Sequence, residues 1–175
     1  VIKDYFLNFK ERNSNFSINI KSGKIEYYNE VINNWNVSLV NTGIDTMTGG
    51  RVKRIQEYIK EEEDFLLTYG DGLCNVNIDE LIRFHKSHKK IATVTTVRPN
   101  ARFGELVIDN DSVKSFKEKP QTQKGRINGG FFVFNKRVFD FIDNDKTVLE
   151  AEPLEKITKQ GELKAFKHDG FWQCM

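Results

Sequence analysis

The amino-acid sequence predicts an α/β protein built on a mostly parallel, mixed sheet with inserted β-hairpins. Short apolar or β-branched runs alternate with helix-period segments through the middle of the chain, which is typical of parallel strands joined by helices. Two further pairs of short strands flank turn residues and predict hairpins. Because no internal repeat and no long linker divides the 175 residues, we expect a single domain over residues 1–175.

The first half of the chain supplies elements of both kinds. Apolar residues at helical spacing indicate helices, and alternating or β-branched runs bounded by turn residues indicate strands. In chain order, these patterns predict a helix end over 1–11, a hairpin with strands 16–20 and 24–28, a strand over 36–43, a helix over 51–60, a strand over 64–69 and a helix over 77–88.

The second half follows the same rules. In chain order, it predicts a strand over 91–97, a hairpin with strands 103–108 and 113–120, a strand over 126–135, a short helix over 136–142, a helix from 152 to 160 and strands over 163–168 and 170–174. The last helix is the best marked, because Pro153 lies in its first turn and Gly161 follows its end.

Charge and residue spacing exclude several classes of protein. The chain has 27 basic and 25 acidic residues, and a net charge of +2 argues against nucleic-acid binding driven by phosphate neutralisation. No apolar run approaches the roughly 20 residues of a transmembrane helix, so no membrane partner is expected.

Cys74 and Cys174 lack zinc spacing and are interpreted as free thiols. His85 and His88 are interpreted as packing or surface residues.

The segment DFLLTYGDG places Asp71 between Gly70 and Gly72, directly after a predicted strand. Parallel α/β sheets bind ligands at the carboxyl ends of their strands. A carboxylate there could bind Mg²⁺, which takes one or two protein carboxylates and completes its octahedron with water and phosphate oxygens. The alternative is an ordinary turn, because Asp and Gly both favour turns.

Three other segments could contact a ligand. In TMTGGR, which ends at Arg51, backbone N–H groups at a helix start could meet a phosphate or a base edge, although a flexible loop explains the glycines better. In FKEKP, Glu118 and Lys119 could hold sugar hydroxyls and a phosphate, or could be a solvated strand end. In INGG, Asn128 could serve a hydroxyl, or the glycines could mark a bulge.

Eight motifs follow one another along the chain: TMTGGR, LLTYGDG, HKKIATVT, RFGELVI, EKP, INGGFFVF, EPLE and GFWQCM. In this order they resemble the motifs of the sugar-phosphate nucleotidyltransferases, above all those of the members that transfer a cytidylyl group. The resemblance runs from about Val31 to Met175. It implies a Rossmann-like sheet of the nucleotide-diphospho-sugar transferase type. It also implies that CTP and α-D-glucose 1-phosphate give CDP-glucose and pyrophosphate by Mg²⁺-dependent in-line transfer. Members act in the cytoplasm in bacterial lipopolysaccharide (O-antigen) synthesis, as homo-oligomers that are often hexamers.

The same resemblance implies roles for individual residues. Asp71 would bind Mg²⁺ and act in catalysis together with Lys119. The residues implied to contact the nucleotide are Thr46, Arg51 and Gly70. The residues implied to hold the sugar and its phosphate are Glu118, Lys119, Asn128 and Gly129. Such a reaction needs no protein nucleophile, because positioning and charge stabilisation supply most of the catalysis.

The sequence departs from the family pattern at both ends. The glycine-rich loop that cradles the triphosphate is not found, and the chain stops at Met175, where the family continues to a second metal-binding aspartate. We therefore expect a fragment of a longer enzyme. Two alternatives stay open: a uridylyl- or thymidylyltransferase acting on the same sugar phosphate, and a nucleotidyltransferase-like binding or regulatory subunit without turnover.

Overall fold

The residues that the computed structural model describes are 1–29, 34–98, 105–117 and 125–175. Contacts between Cα atoms divide the chain into two compact units, Val1–Asn41 and Thr42–Met175. The expectation of a single domain over the whole chain stays a prediction. Within the described part of the chain, every helix is too short or too polar to cross a bilayer.

The first unit contains two short helices and a hairpin. Helix α1 spans Ile2–Leu7 and α2 spans Phe9–Asn13, where one helix end was predicted. Strands β1 (Asn15–Ile18) and β2 (Ile25–Tyr28) pair antiparallel, which confirms the first predicted hairpin. The predicted strand over 36–43 is wrong, because those residues pair with no strand of the described chain and so lack the ladder that satisfies an extended backbone.

The second unit is organised around a four-stranded mixed sheet in the order β3-β8-β5-β9. Strands β3 (Asp64–Thr68), β5 (Ala92–Val97) and β9 (Leu163–Lys167) run in one direction. Strand β8 (Ile127–Asn135) runs in the opposite direction between β3 and β5. The predicted mixed α/β sheet is confirmed, and β5 with β9 is its parallel neighbour pair.

Two smaller antiparallel ladders complete the strands. Strands β6 (Glu105–Asp109) and β7 (Ser112–Lys117) form the second predicted hairpin. Strand β4 (Gly72–Cys74) pairs with β10 (Trp172–Cys174), and this pairing returns the end of the chain to the residues that follow β3. Strand β4 was not predicted, because three residues are too few to show a period.

The helices lie close to their predicted positions. They are α3 (Thr48–Arg54), α4 (Ile78–His88) and α5 (Glu152–Lys159), with 3₁₀ turns over Gln56–Tyr58 and Lys136–Phe141. Asn77 precedes helix α4, and its side chain accepts a hydrogen bond from the N–H of Glu80 at 3.1 Å and so caps the first turn.

The core of the second unit lies where the sheet, α3, α5 and the second 3₁₀ turn meet. Its centre is a stacked pair of rings, Phe132 and Phe134, with centroids 5.1 Å apart. Both rings are fully buried. The buried residues packed together here are Val52, Ile91, Ala92, Phe132, Phe134, Val138, Phe139, Ile142, Leu149 and Ile157. This core fixes the strand ends that carry the candidate site.

Candidate active site

The carboxyl ends of β3, β5 and β9 meet at one edge of the sheet, together with the start of β8. Thr96 near the end of β5 lies opposite Asn128 of β8. The guanidinium of Arg126 donates to the carbonyls of Thr96 (3.0 Å) and His168 (3.1 Å) and so joins the ends of β5 and β9. Asp71 follows β3 and therefore lies at the edge where ligands of open α/β sheets bind.

The backbone around Asp71 is held by the β4–β10 ladder. The carbonyl of Asp71 accepts a hydrogen bond from the N–H of Met175 at 2.9 Å. Its carboxylate oxygen Oδ2 lies 3.5 Å from the thiol sulfur of Cys174. The side chain is exposed and forms no ion pair within the described ranges. Asp71 is thus a fixed carboxylate that a ligand can reach.

Four polar side chains form a continuous hydrogen-bonded group, and one of them, Tyr69, is influenced by the charge of Asp71. The Tyr69 hydroxyl donates to Glu150 Oε1 at 2.6 Å, and the Thr48 hydroxyl donates to Glu150 Oε2 at 2.7 Å. Asn128 Nδ2 donates to the Tyr69 oxygen at 3.0 Å. The group connects the start of α3, the end of β3, the start of β8 and the segment before α5.

Tyr69 is tightly held within this group. Its backbone N–H bonds to the carbonyl of Gly130 at 2.9 Å, and its ring packs on Phe132 with centroids 5.8 Å apart. Burial, the hydrogen bond to Glu150 and the nearby charge of Asp71 all raise the pKa of the Tyr69 hydroxyl above its ordinary value. The hydroxyl therefore stays protonated and keeps donating to Glu150.

The first turn of α3 packs directly on the loop over residues 145–147. The N–H groups of Met47 and Gly49 donate to the carbonyls of Asp145 and Thr147 at 2.8 and 2.9 Å. A Cβ atom on Gly50 would lie 2.6 Å from backbone atoms of Asp145, so this glycine permits the close approach. These N–H groups are therefore used within the protein, and the idea that they meet a phosphate is wrong for Met47 and Gly49.

Arg51 and Thr46 occupy different environments. Arg51 is exposed, lies one turn after Thr48 on α3, and donates to Thr42 Oγ1 at 2.7 Å and to the carbonyl of Ile44 at 3.2 Å. Both acceptors are neutral, and no carboxylate of the described chain pairs with the guanidinium. Arg51 therefore keeps its charge for an anion. Thr46 is only 7% exposed and packs against Gly50, on which a Cβ atom would lie 2.8 Å from Thr46 Cγ2.

Gly70 directly precedes Asp71, and the carbonyl oxygen of Gly129 lies 3.8 Å from the position of a Cβ atom on Gly72, which follows Asp71. Gly129 is buried in β8, and its carbonyl accepts a hydrogen bond from Trp172 Nε1 at 2.8 Å. Gly70 is exposed, and apart from its chain neighbours no atom of the described residues lies within 4 Å of the position that its Cβ would occupy. The open space beside Gly70 leaves room for a ligand next to the Asp71 carboxylate.

The structure brings together some of the predicted site residues and leaves others aside. Asp71, Gly70, Asn128 and Gly129 lie at one edge, where Tyr69 links the strand before Asp71 to Asn128. Arg51 shares α3 with Thr48, which Glu150 ties to that edge. Glu118 and Lys119 lie outside the described residues, so their roles stay predictions.

Sequence reasoning missed four residues of this edge: Tyr69, Arg126, Glu150 and Trp172. The available signals were weak. Tyr69 ends an apolar run, and Glu150 is a single carboxylate between apolar residues just before the EPLE helix. Only the fold brings Glu150 to Tyr69, 81 residues earlier in the chain.

The carboxylate oxygens of Asp71 are ligands of the kind that Mg²⁺ takes. Mg²⁺ takes oxygen ligands and needs only one or two protein carboxylates, the rest being water and phosphate oxygens. The Asp71 carboxylate fits that requirement. No group of three or more His, Cys, Asp or Glu side chains in the described chain could hold a metal ion alone. A cation held at Asp71 would therefore need further oxygen ligands, such as water or phosphate.

Comparison with known proteins relates this geometry to one family. The family model for nucleotidyl transferases matches residues 23–173. The glucose-1-phosphate cytidylyltransferases of Salmonella typhi and Salmonella typhimurium strain LT2 are each 49% identical to this chain over all 175 residues. The chain covers 68% of the length of each of these relatives.

A solved structure shares the fold. The crystal structure of HddC from Yersinia pseudotuberculosis is 30% identical, superimposes with a TM-score of 0.54, and covers 74% of this chain. The match extends over 56% of the HddC chain. With a family model that spans most of its length and relatives that match it from end to end, the chain belongs to the nucleotidyl transferase family.

Proposed function

We propose that this protein transfers a cytidylyl group from CTP to α-D-glucose 1-phosphate, giving CDP-glucose and pyrophosphate in a Mg²⁺-dependent in-line reaction. The observation that carries the proposal is the 49% identity with glucose-1-phosphate cytidylyltransferases across every residue of the chain. The position of Asp71 at the ligand-binding edge of the sheet is consistent with it. Cytoplasmic location, a role in lipopolysaccharide synthesis and assembly into a homo-oligomer belong to the same proposal.

The central difficulty of such a reaction is to bring two polyanions together. The sugar phosphate attacks the α-phosphorus of CTP, the bond to the β-phosphate oxygen breaks, and pyrophosphate leaves with that electron pair. Positioning the two substrates and stabilising the charge on the phosphates therefore supply most of the catalysis.

The chain offers groups suited to each part of this task. Asp71 would hold Mg²⁺, which neutralises phosphate charge when it is bound. Arg51, whose charge is unpaired within the described ranges, is suited to the nucleotide. Asn128 is fixed at the edge and would orient a sugar hydroxyl, with Gly129 beside it. We assign the sugar phosphate to Glu118 and Lys119.

Pyrophosphate release from CTP and glucose 1-phosphate tests the proposal. The assay uses the 175-residue chain and, in parallel, a chimaera in which the remaining sequence of the Salmonella typhi relative is joined to this chain. Turnover in either form supports the proposal. If neither form releases pyrophosphate above a blank without sugar phosphate, the protein is a binding or regulatory subunit and the proposed activity is wrong.

The choice of base is tested by the same assay with three nucleotides. We expect kcat/KM for CTP to exceed the values for UTP and dTTP by at least about tenfold, because a base pocket built on hydrogen bonds discriminates strongly between donors and acceptors. Equal values for the three nucleotides would contradict the cytidylyl assignment while leaving nucleotidyl transfer to the sugar phosphate intact.

A further inference from the structure

The carboxylate of Glu150 accepts hydrogen bonds from the hydroxyl groups of Thr48 and Tyr69, and the direction of both hydroxyl hydrogens is fixed by their other partners. Thr48 Oγ1 accepts the N–H of Leu149 at 3.0 Å, so the Thr48 hydroxyl hydrogen is directed at Glu150 Oε2. The Tyr69 oxygen accepts from Asn128, so its hydrogen is directed at Glu150 Oε1. Both oxygens of Glu150 are therefore acceptors, a task that an ionised carboxylate performs and a carboxamide cannot.

The orientation of Asn128 depends on this arrangement. Its Oδ1 accepts the N–H of Gly130 at 2.8 Å, and one Nδ2 hydrogen is donated to Tyr69. Both ends of the amide are thereby assigned, and the plane of the amide is set by Gly130 and Tyr69 together. The hydroxyl of Tyr69 is itself held by Glu150, so loss of the carboxylate would release the Nδ2 end of the Asn128 amide.

We propose that Glu150 is a positioning residue for the sugar end of the site: its carboxylate holds Tyr69 against Thr48, and Tyr69 in turn sets the amide of Asn128. This inference rests on the proposed function, because it assigns Asn128 to the sugar. Glu150 acts through Tyr69 and does not itself contact the sugar.

Truncation of the carboxylate tests the proposal in whichever form of the protein turns over. Glu150→Ala removes both acceptors, and we expect the KM for glucose 1-phosphate to rise by up to about tenfold, the effect of losing one neutral hydrogen bond, here from Asn128 to the sugar. The KM for CTP is expected to stay within about twofold, because the change is confined to the sugar end. Glu150→Gln, which keeps one acceptor, should give an intermediate KM.

Glu152→Ala is the matched control. Glu152 is an exposed glutamate two residues away, and its carboxylate pairs with Lys156 at 2.7 Å on α5. Its truncation should leave both KM values and the melting temperature unchanged. An equal rise in the two KM values, or equal effects of Glu150→Ala and Glu152→Ala, would overturn the positioning role.

A double-mutant cycle separates positioning from direct contact. If Glu150 acts through Tyr69, Glu150→Ala combined with Tyr69→Phe should raise the sugar-phosphate KM no more than about twofold beyond the larger single effect. If Glu150 contacts the sugar itself, the two effects should multiply, and the proposal would be wrong.

A crystal structure of Glu150→Ala gives a readout that does not depend on activity. We expect the Tyr69 Oη to Asn128 Nδ2 distance to exceed hydrogen-bond range, from 3.0 Å in the parent. An unchanged pair would overturn the inference even in an active enzyme. A displaced pair in a protein without turnover would support the positioning role while the proposed function failed.

Discussion

Thr93 on β5 joins two histidines of α4 in the interior of the second unit, and replacing it by valine tests that arrangement. His85 Nδ1 and His88 Nε2 each lie 2.8 Å from Thr93 Oγ1. The N–H of Lys90 donates to His88 Nδ1 at 3.0 Å, so neutral His88 carries its hydrogen on Nε2 and donates to Thr93. The Thr93 hydroxyl then donates to His85 Nδ1, and His85 Nε2–H faces Asp64 Oδ1 at 3.5 Å.

Valine keeps the shape of threonine but removes this shared oxygen. Thr93 is fully buried and His85 is 2% exposed, so His85 Nδ1 would lose its donor in a place that water does not reach. An unsatisfied buried polar group costs about 1–3 kcal/mol, and half-buried His88 adds a smaller amount. We expect Thr93→Val to lower the free energy of unfolding by about 2–4 kcal/mol.

Thr95 provides a control on the same strand. It is as buried as Thr93, but its Oγ1 has no hydrogen-bond partner in the described chain. Thr95→Val therefore removes an unsatisfied group and should leave stability unchanged or raise it by up to about 1 kcal/mol. The assay is urea unfolding of the 175-residue chain followed by circular dichroism. Equal effects of the two substitutions would refute the hydrogen-bond account.

Two further predictions concern pH and backbone conformation. Burial lowers the pKa values of His85 and His88 below their ordinary value of 6.5, so the unfolded state takes up protons first as the pH falls. The stability that their neutral rings provide should be present above about pH 6.5 and lost as the pH falls below it, in urea unfolding across pH. Gly130 has a φ of +77° and its Cβ would lie 2.7 Å from the Tyr69 ring, whereas Gly161 has a φ of +70° and open space. Gly130→Ala should therefore lower the melting temperature more than Gly161→Ala, which carries only the backbone cost of about 1 kcal/mol.

Each of these predictions has a clear contrary result. The charged side chains whose electrostatic influence reaches the two histidine rings are Asp64, Lys86, Lys90, Arg137, Glu162 and Lys164. Stability that is flat between about pH 7 and pH 5.5 would show that burial does not depress the histidine pKa values. Equal melting temperatures for the two glycine variants would show that Gly130 is not needed for the approach of Tyr69.

Much of the fold could be predicted because local pattern and tertiary structure agree in the second unit. The β-branched run IATVTTV is a largely buried strand, the run DFLLTY is a strand that is only half-buried, and α4 carries the helical period that its sequence predicts. The reversed direction of β8 could not be predicted, because strand direction depends on connections that the period of a single strand does not record. The wrongly predicted strand over 36–43 shows the opposite case: its sequence pattern is typical of a strand, but no other strand of the described chain pairs with it.

The candidate site likewise contains residues whose position could be predicted from the sequence and residues that only the fold reveals. Asp71 was predictable, because strand ends and turn residues are visible in the sequence and a general rule places ligands there. Glu150 was not, because its role depends on a contact between residues far apart in the chain. The glycines of TMTGGR were interpreted as flexible, whereas Gly50 is required by a backbone approach that only the fold reveals.

The most direct test of the account is the Mg²⁺ dependence of cytidylyl transfer in Asp71→Asn. Asp140→Asn, an exposed aspartate in the 3₁₀ turn after β8, is the matched control. We predict that Asp71→Asn lowers kcat/KM by at least about a hundredfold at saturating Mg²⁺, because charge stabilisation supplies most of the catalysis, while the circular dichroism spectrum and the control activity are unchanged. Parental activity and Mg²⁺ dependence in Asp71→Asn would contradict the metal-binding role on which the proposed mechanism depends.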